Sequence, residues 1–280
     1  MTDVLLTIAD GVAEVRLNRP DRRNAVRDEM YDGLLRAAAR LRGEDSVRAI
    51  VLSGEGPTFC AGMDTSGFDL MRAEGKAAAW RPADADDVAA GIVDVNGLTL
   101  GRGQRAVLVW TTMPVPVIAA IHGAAVGVGL QLALGADIRI VTSDATLGAY
   151  EIRWGLAPDS GGTQLLPPLI GFDRAMDLCT TGRRVSGEEA VAIGLATSLA
   201  EDPRSAALEM ARTIAGRSPE AVGSVVRLVR AGRPRLDQAA LIEERTEMHR
   251  NIGSACQREA VAAVREGRDP VFSRPAGTSR

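Results

Sequence analysis

Chemistry in this 280-residue sequence has few places to reside. Two glycine-flanked turns stand out, Phe59-Cys60-Ala61-Gly62-Met63-Asp64 and Gly127-Val128-Gly129. In the first, small residues let backbone approach a ligand closely and leave the Met63 N–H free to donate. The second opens a helix, where unpaired N–H groups and the positive end of the dipole point outward. Two such donors converging on one point make an oxyanion hole, a device for stabilising negative charge on a carbonyl oxygen. Two acids further along, Glu151 and Asp159, could move protons, and Gln131 stands four residues into the GVGLQ run. An amide there orients water but cannot accept and return a proton.

Each of these residues also has a plainer reading. Glu151 follows a β-type stretch and reads equally as a solvated strand-end acid. Asp159 precedes Ser160 and a helix, the pattern of an N-cap. Cys60 has no base nearby and reads as packing, His122 as a satisfied buried residue, and His249 as a surface residue of a charged helix. Arg22 and Arg23 suit phosphate contacts or simple solvation of a turn. A dinucleotide-binding reading of Gly127-Val128-Gly129 fails at Leu132, where the third glycine of that fingerprint belongs.

The elements that must position these groups follow from hydrophobic periodicity. Val4 to Ile8 and Val12 to Leu17 are short β-type runs joined by Ala9-Asp10-Gly11, a hairpin signal. Arg27 to Arg42 is an amphipathic helix, and Val47 to Ser53 a strand ending before the first glycine turn. Residues 64 to 105 are irregular, and helical pieces inside a mobile flap are expected there. Pro114 to Ile121 is a buried-type strand, the helix opening at Gly127 closes at Gly135, and Asp137 to Thr142 is a further strand. Beyond residue 160 the pattern turns helical: a segment ending near Leu169, then Asp173–Thr180, Gly187–Ile193, Ser205–Ala215, Glu220–Val229, Asp237–Arg250 and Ala255–Glu266. Strand–helix alternation followed by helices predicts an α/β core with a helical C-terminal part.

Composition removes several function classes. Aromatics make up 3% of the chain, so the core must be built from Ala, Val, Leu and Ile. A net charge of −3, with no basic stripe, gives no reason to expect nucleic acid as a partner. Cys60, Cys179 and Cys256 have neither close pairing nor metal-type spacing, which points to free thiols and a reducing, cytoplasmic setting. Nothing approaches the ~18 apolar residues of a membrane span, so no membrane partner is expected.

Four segments, LNRPDRRNA, SGEGPTFCAGMD, AAIHGAAVGVGLQLALGADIRI and EIRWGLAPDSGGTQLL, together resemble the crotonase (enoyl-CoA hydratase/isomerase) family in its order and spacing. The resemblance spans roughly residues 3 to 270. It implies an α/β fold, a spiral of ββα units with a helical C-terminal trimerisation region. The core is expected over 1–200 with its flap at 64–105, the helical region over 201–270 and a disordered tail over 271–280. The implied substrate is an acyl-CoA thioester, its CoA lying against Arg22, Arg23, Ala25, Ala61, Gly62, Asp64 and Gly127. No separate cofactor or metal is implied, CoA being part of the substrate. The implied partner is a second copy of the chain, in trimers or dimers of trimers.

By the same resemblance the oxyanion-hole donors are Met63 and Val128, the family usually having glycine where Val128 stands. A typical hydratase of the family uses two glutamates. Here one is matched by Glu151 and the other position is Gln131, while dienoyl-CoA isomerases carry an acid at the position of Asp159. The expected catalytic set is therefore Glu151, Asp159 and Gln131, with double-bond isomerisation favoured over hydration in β-oxidation. A non-catalytic acyl-CoA-binding protein is the remaining alternative.

Overall fold

A computed structural model of the chain describes residues 2–64, 98 and 100–272. The chain begins with the hairpin β1 (Val4–Ala9) and β2 (Val12–Leu17), then the helix α1 (Asp28–Arg42) and β3 (Ala49–Gly54). Next come α2 (Arg102–Leu108), β4 (Val117–Ile121), β5 (Ala124–Val126), α3 (Val128–Leu134), β6 (Ile138–Val141) and β7 (Thr146–Gly148). A 3-10 turn, Tyr150–Trp154, leads to α4 (Gly162–Leu165), α5 (Pro167–Ile170), α6 (Phe172–Thr181), β8 (Val185–Ser186), α7 (Gly187–Ala192) and β9 (Ser198–Leu199). Four longer helices complete the chain: α8 (Pro203–Ala215), α9 (Pro219–Ala231), α10 (Gln238–Asn251) and α11 (Ala255–Glu266).

The strands form two sheets, of order β1-β2-β3-β4-β6-β9 and β5-β7-β8. Among the described residues only the β1–β2 and β7–β8 pairs are antiparallel. Successive strands thus alternate between sheets: β4 lies in the large one and β5 in the small one, then β6 and β7 repeat the step. That is the ββα spiral the sequence resemblance implies.

The large sheet is covered on both faces, and the strands show it by period-2 alternation. Ile50, Leu52, Val117, Ala119 and Ile121 join the main core with Met30, Leu34 and Leu41 of α1. Ala49, Val51, Ile118 and Ala120 face the other way, onto Ala207 and Ala211 of α8. Alanine on both sides of that contact lets α8 lie close to the sheet.

The longer elements fall within a few residues of their sequence-derived bounds. The short strands β5, β7, β8 and β9 were not expected, because two or three residues leave no measurable period. Most of the expected flap lies outside the described residues, as does nearly all of the expected tail. Its described end forms α2, which buries Gln104 and Arg105. Among the described residues no helix is long and apolar enough to cross a membrane.

Candidate active site

Sheet register brings the two glycine turns together. Cys60 forms a parallel bridge to Ala125 of β5, so Gly62 and Gly127, each two residues on, leave neighbouring strands at the same level. On the other side β5 pairs with β7 through Val126 and Gly148, which delivers the chain to the 3-10 turn holding Glu151. Gly127 adopts φ +56°, and a Cβ there would lie 3.6 Å from Glu151 Oε1 and 3.8 Å from Gly62 Cα. One end of the small sheet therefore gathers both turns and the acid.

The backbone donors have identifiable orientations. Val26 N donates to Gly62 O at 2.8 Å and Asp64 N donates to Val26 O at 2.9 Å. Met63, between them, turns its own N–H away from this ladder, because neighbouring peptides along an extended chain point opposite ways. Val128 is the first residue of α3, a position whose N–H has no partner within the helix. The bonds stitching Gly62 and Asp64 to Val26, with Ala61 N to Arg23 O at 3.0 Å, also bring Arg22, Arg23 and Ala25 beside Ala61 and Asp64. Arg22 and Arg23 are exposed. Asp64 is ion-paired with Arg19 at 2.9 Å, which ties the first glycine turn to the segment carrying Arg22 and Arg23.

Glu151 is a buried acid, not a solvated strand end, because the 3-10 turn folds it inward. Its Oε1 accepts a 2.7 Å hydrogen bond from Gln131 Nε2, while Oε2 is buried with no hydrogen-bond partner among the described residues. Burial pushes the carboxyl up to about 7, the Glu244 charge adding to the shift and the Gln131 bond opposing it. Asp159, half-buried, is likewise pushed up to about 7 by burial and by the charges of Glu151 and Glu244. It caps no helix, since the N-cap residue of α4 is Gly161.

Gln131 does not stand ready to orient water through its oxygen. Its Oε1 already accepts from Ser160 N at 2.9 Å and Gly162 N at 3.0 Å, which leaves its NH₂ aimed at Glu151. Gly162 is required at that contact, where a Cβ would come within 2.7 Å of the amide oxygen.

Sequence reasoning missed Glu244. This residue of α10 is buried and reaches back across the fold to the segment after Asp159. A signal was available: Glu244 lies three residues after buried Leu241 and four before buried Met248, an acid on an otherwise apolar helical stripe.

The remaining candidates resolve simply. Cys60 is fully buried, donates to Asn24 O at 3.2 Å, and its thiol is pushed up to about 12 by burial, so it packs rather than reacts. His122 is satisfied by Gly56 O at 2.8 Å, but it is half-exposed rather than buried. Gly129 serves packing, since a Cβ there would lie 2.7 Å from both Cβ and O of Cys60.

Similarity to known proteins extends along almost the whole chain. A crystal structure of an enoyl-CoA hydratase/isomerase from Mycobacterium paratuberculosis superimposes with a TM-score of 0.79 at 29% identity, covering 94% of this chain and 98% of that one. The molecule is thus an enzyme of the crotonase fold. A family model described as enoyl-CoA hydratase/isomerase matches residues 12–273, and the chain belongs to that family. Among curated relatives, the mitochondrial enoyl-CoA hydratase domain-containing protein 2 of Bos taurus is 34% identical over 272 residues, covering 94% of this chain and 84% of its own length. The 1,2-epoxyphenylacetyl-CoA isomerase of Escherichia coli K12 is 31% identical over 275 residues, covering 98% and 99%.

Proposed function

We propose that this enzyme shifts a double bond in an acyl-CoA thioester, with Glu151 as the proton shuttle. The observation carrying this reading is Glu151 itself, a buried carboxyl poised near neutrality with Oε2 unengaged and an amide, not a second acid, on Oε1. Oε2 takes a proton from C2 of a 3-enoyl thioester, and the electron pair spreads onto the thioester oxygen. The N–H groups of Met63 and Val128 stabilise that charge, each by about 3–4 kcal/mol judged from oxyanion-hole variants of other enzymes. The same carboxyl then returns the proton at C4, leaving the double bond between C2 and C3. One base suffices, and no water is consumed. Arg22 and Arg23 would meet the CoA phosphates, and their exposure supports that role.

Hydration is the second reading, and Asp159 favours it. An acid near neutrality beside Glu151 could manage the second proton that Gln131 cannot. A panel of 2-enoyl-, 3-enoyl- and dienoyl-CoA substrates, with products identified by mass and retention, separates the two. Conversion of 3-enoyl to 2-enoyl thioester without 3-hydroxyacyl product is the expected outcome. A dominant 3-hydroxyacyl product would overturn isomerisation, and no turnover of any member would leave a binding protein.

Assembly with further copies, in trimers, is part of the same proposal, and its support is α9, which buries none of its residues and exposes Val225, Leu228 and Val229. Among the apolar residues of α10, Ile242 is exposed as well, whereas Leu241 and Met248 pack inside their own chain. A cytoplasmic setting fits the three free thiols.

A further inference from the structure

The segment Ser160-Gly161-Gly162-Thr163 divides its successive N–H groups between two side chains. Ser160 and Gly162 donate to Gln131 Oε1. Gly161 and Thr163 donate to opposite oxygens of Glu244, at 2.9 Å and 3.2 Å, and the Thr163 hydroxyl adds a further bond. Gln104 Nε2 of α2 closes the arrangement, reaching Glu244 Oε2 at 3.1 Å and Leu241 O at 2.8 Å. Two side chains thus grip one short loop from its two sides. One of them, Gln131, holds the catalytic carboxyl at 2.7 Å.

We propose that Glu244 is a positioning residue of this site: its carboxylate seats the Ser160–Thr163 segment, which locks the Gln131 amide and so fixes where Glu151 presents Oε2. The inference rests on Glu151 being the base of the proposed reaction. A neutral residue would not serve as well. Both Glu244 oxygens receive two donors each, and an amide has only one oxygen to offer. The arrangement is costly as packing, because it buries a carboxylate where Glu151 and Asp159 already feel its charge. That cost is consistent with a role in setting the site's electrostatics as well as its geometry.

Among the described residues, several titratable groups sense the clamp. Glu151, Asp159 and Cys179 all feel Glu244, while Tyr31, with Arg102 over its ring at 5.6 Å, feels Asp159. Arg245, next along α10, lies toward Gly101. Removing the Glu244 charge should therefore act chiefly on the two acids of the site.

The test uses the full-length chain and two variants, Glu244→Gln and Thr163→Val. Carboxyl-carbon NMR follows Glu151 without substrate, and steady-state kinetics on a 3-enoyl-CoA follows turnover. In Glu244→Gln the Glu151 midpoint should fall below its wild-type value, and kcat should drop about 10-fold with KM within about 2-fold. Thr163→Val keeps the charge but loosens the grip, so kcat should fall about 3-fold with the midpoint unmoved. A wild-type kcat in folded Thr163→Val, or an unmoved Glu151 midpoint in Glu244→Gln, overturns the proposal. If the wild-type chain turns over no enoyl-CoA, the proposed reaction fails instead, and the NMR midpoint still decides whether Glu244 tunes Glu151.

Discussion

The two walls of the site are built in opposite ways. On one wall the functional groups are peptide N–H groups, placed by strand register and by glycines that let Gly62, Gly127 and Cys60 crowd together. On the other they are side chains drawn from distant parts of the sequence: Gln131 and Glu244 are bonded to a glycine-rich loop, Glu151 is bonded to Gln131, and Asp159 precedes the loop. The donors of the backbone wall are amides, which do not titrate and owe little to side-chain identity. The carboxyl wall titrates, and a single amide or acid in it changes what reaction is possible. In the proposed reaction, catalytic commitment sits in one wall and generic charge stabilisation in the other.

The sharpest way to break this contrast is Glu151→Gln. Size and hydrogen bonding persist while the proton acceptor is lost, so kcat should fall ~10²–10⁴-fold. Near-normal turnover would move catalysis elsewhere. On the backbone wall Gly62→Val should cost ~10²-fold, because Gly62 sits at φ +91° and a Cβ would press to 3.1 Å from the Val126 carbonyl oxygen, displacing the Met63 donor. Gly129→Val tests something different. Its clash is with the backbone of Cys60, so the expected result is a lower melting temperature together with lost activity.

The pH dependence belongs to the carboxyl wall alone. A base must be ionised to accept a proton, so kcat/KM should fall as pH drops through about 7, near the raised Glu151 and Asp159. The same rise has a stability signature. A carboxyl raised by burial favours folding while protonated and loses that contribution as pH climbs through about 7. Glu151→Gln should therefore melt higher than wild type at pH 8 and close to it at pH 5. An acid limb near 4.5, where an ordinary glutamate titrates, would mean that the active base is not a desolvated acid.

Gln131→Glu probes the boundary between reactions. The new carboxyl would keep the Ser160 and Gly162 donors on one oxygen and face Glu151 with the other, so the pair should share a proton. Water addition to a short 2-enoyl-CoA should then rise or become detectable by loss of its ultraviolet absorbance. The smallest effect is reserved for Met63→Ala, which deletes a half-buried side chain packed near Leu156, Met248 and Ile252 but leaves the N–H in place. Its kcat should stay within about 3-fold of wild type. Loss of all activity would show that side chains work on that wall too.

Legibility in the sequence follows the same divide. The backbone wall was readable because glycine turns after strands are local patterns, and β3, β4 and α3 lie close to where periodicity put them. Glu151 was readable as a candidate, but its burial was not, since the 3-10 turn that folds it inward has no period of its own. The lock on Gln131 depends on N–H groups 29 and 31 residues away, and Glu244 on partners more than 80 residues away. Contacts of that range leave no local pattern; only the placement of Glu244 on an apolar stripe hinted at them. The expected N-cap role of Asp159 failed because Gly161, in a left-handed conformation, carries the chain around a corner and itself stands at the N-cap of the helix that begins at Gly162.

Cys60 gives the backbone wall a built-in reporter. The thiol sits inside the first glycine turn, wedged against Gly129 and donating to Asn24 O, so no reagent reaches it while the turn is closed. Cys179 and Cys256 are both partly exposed. In native protein a disulfide reagent should count those two quickly and the third only as fast as the turn opens. The slow phase is then a clock for local breathing of the donor wall, one that needs neither label nor substrate. Ligands that settle against Met63 and Val128 should slow it in proportion to how tightly they hold that wall shut.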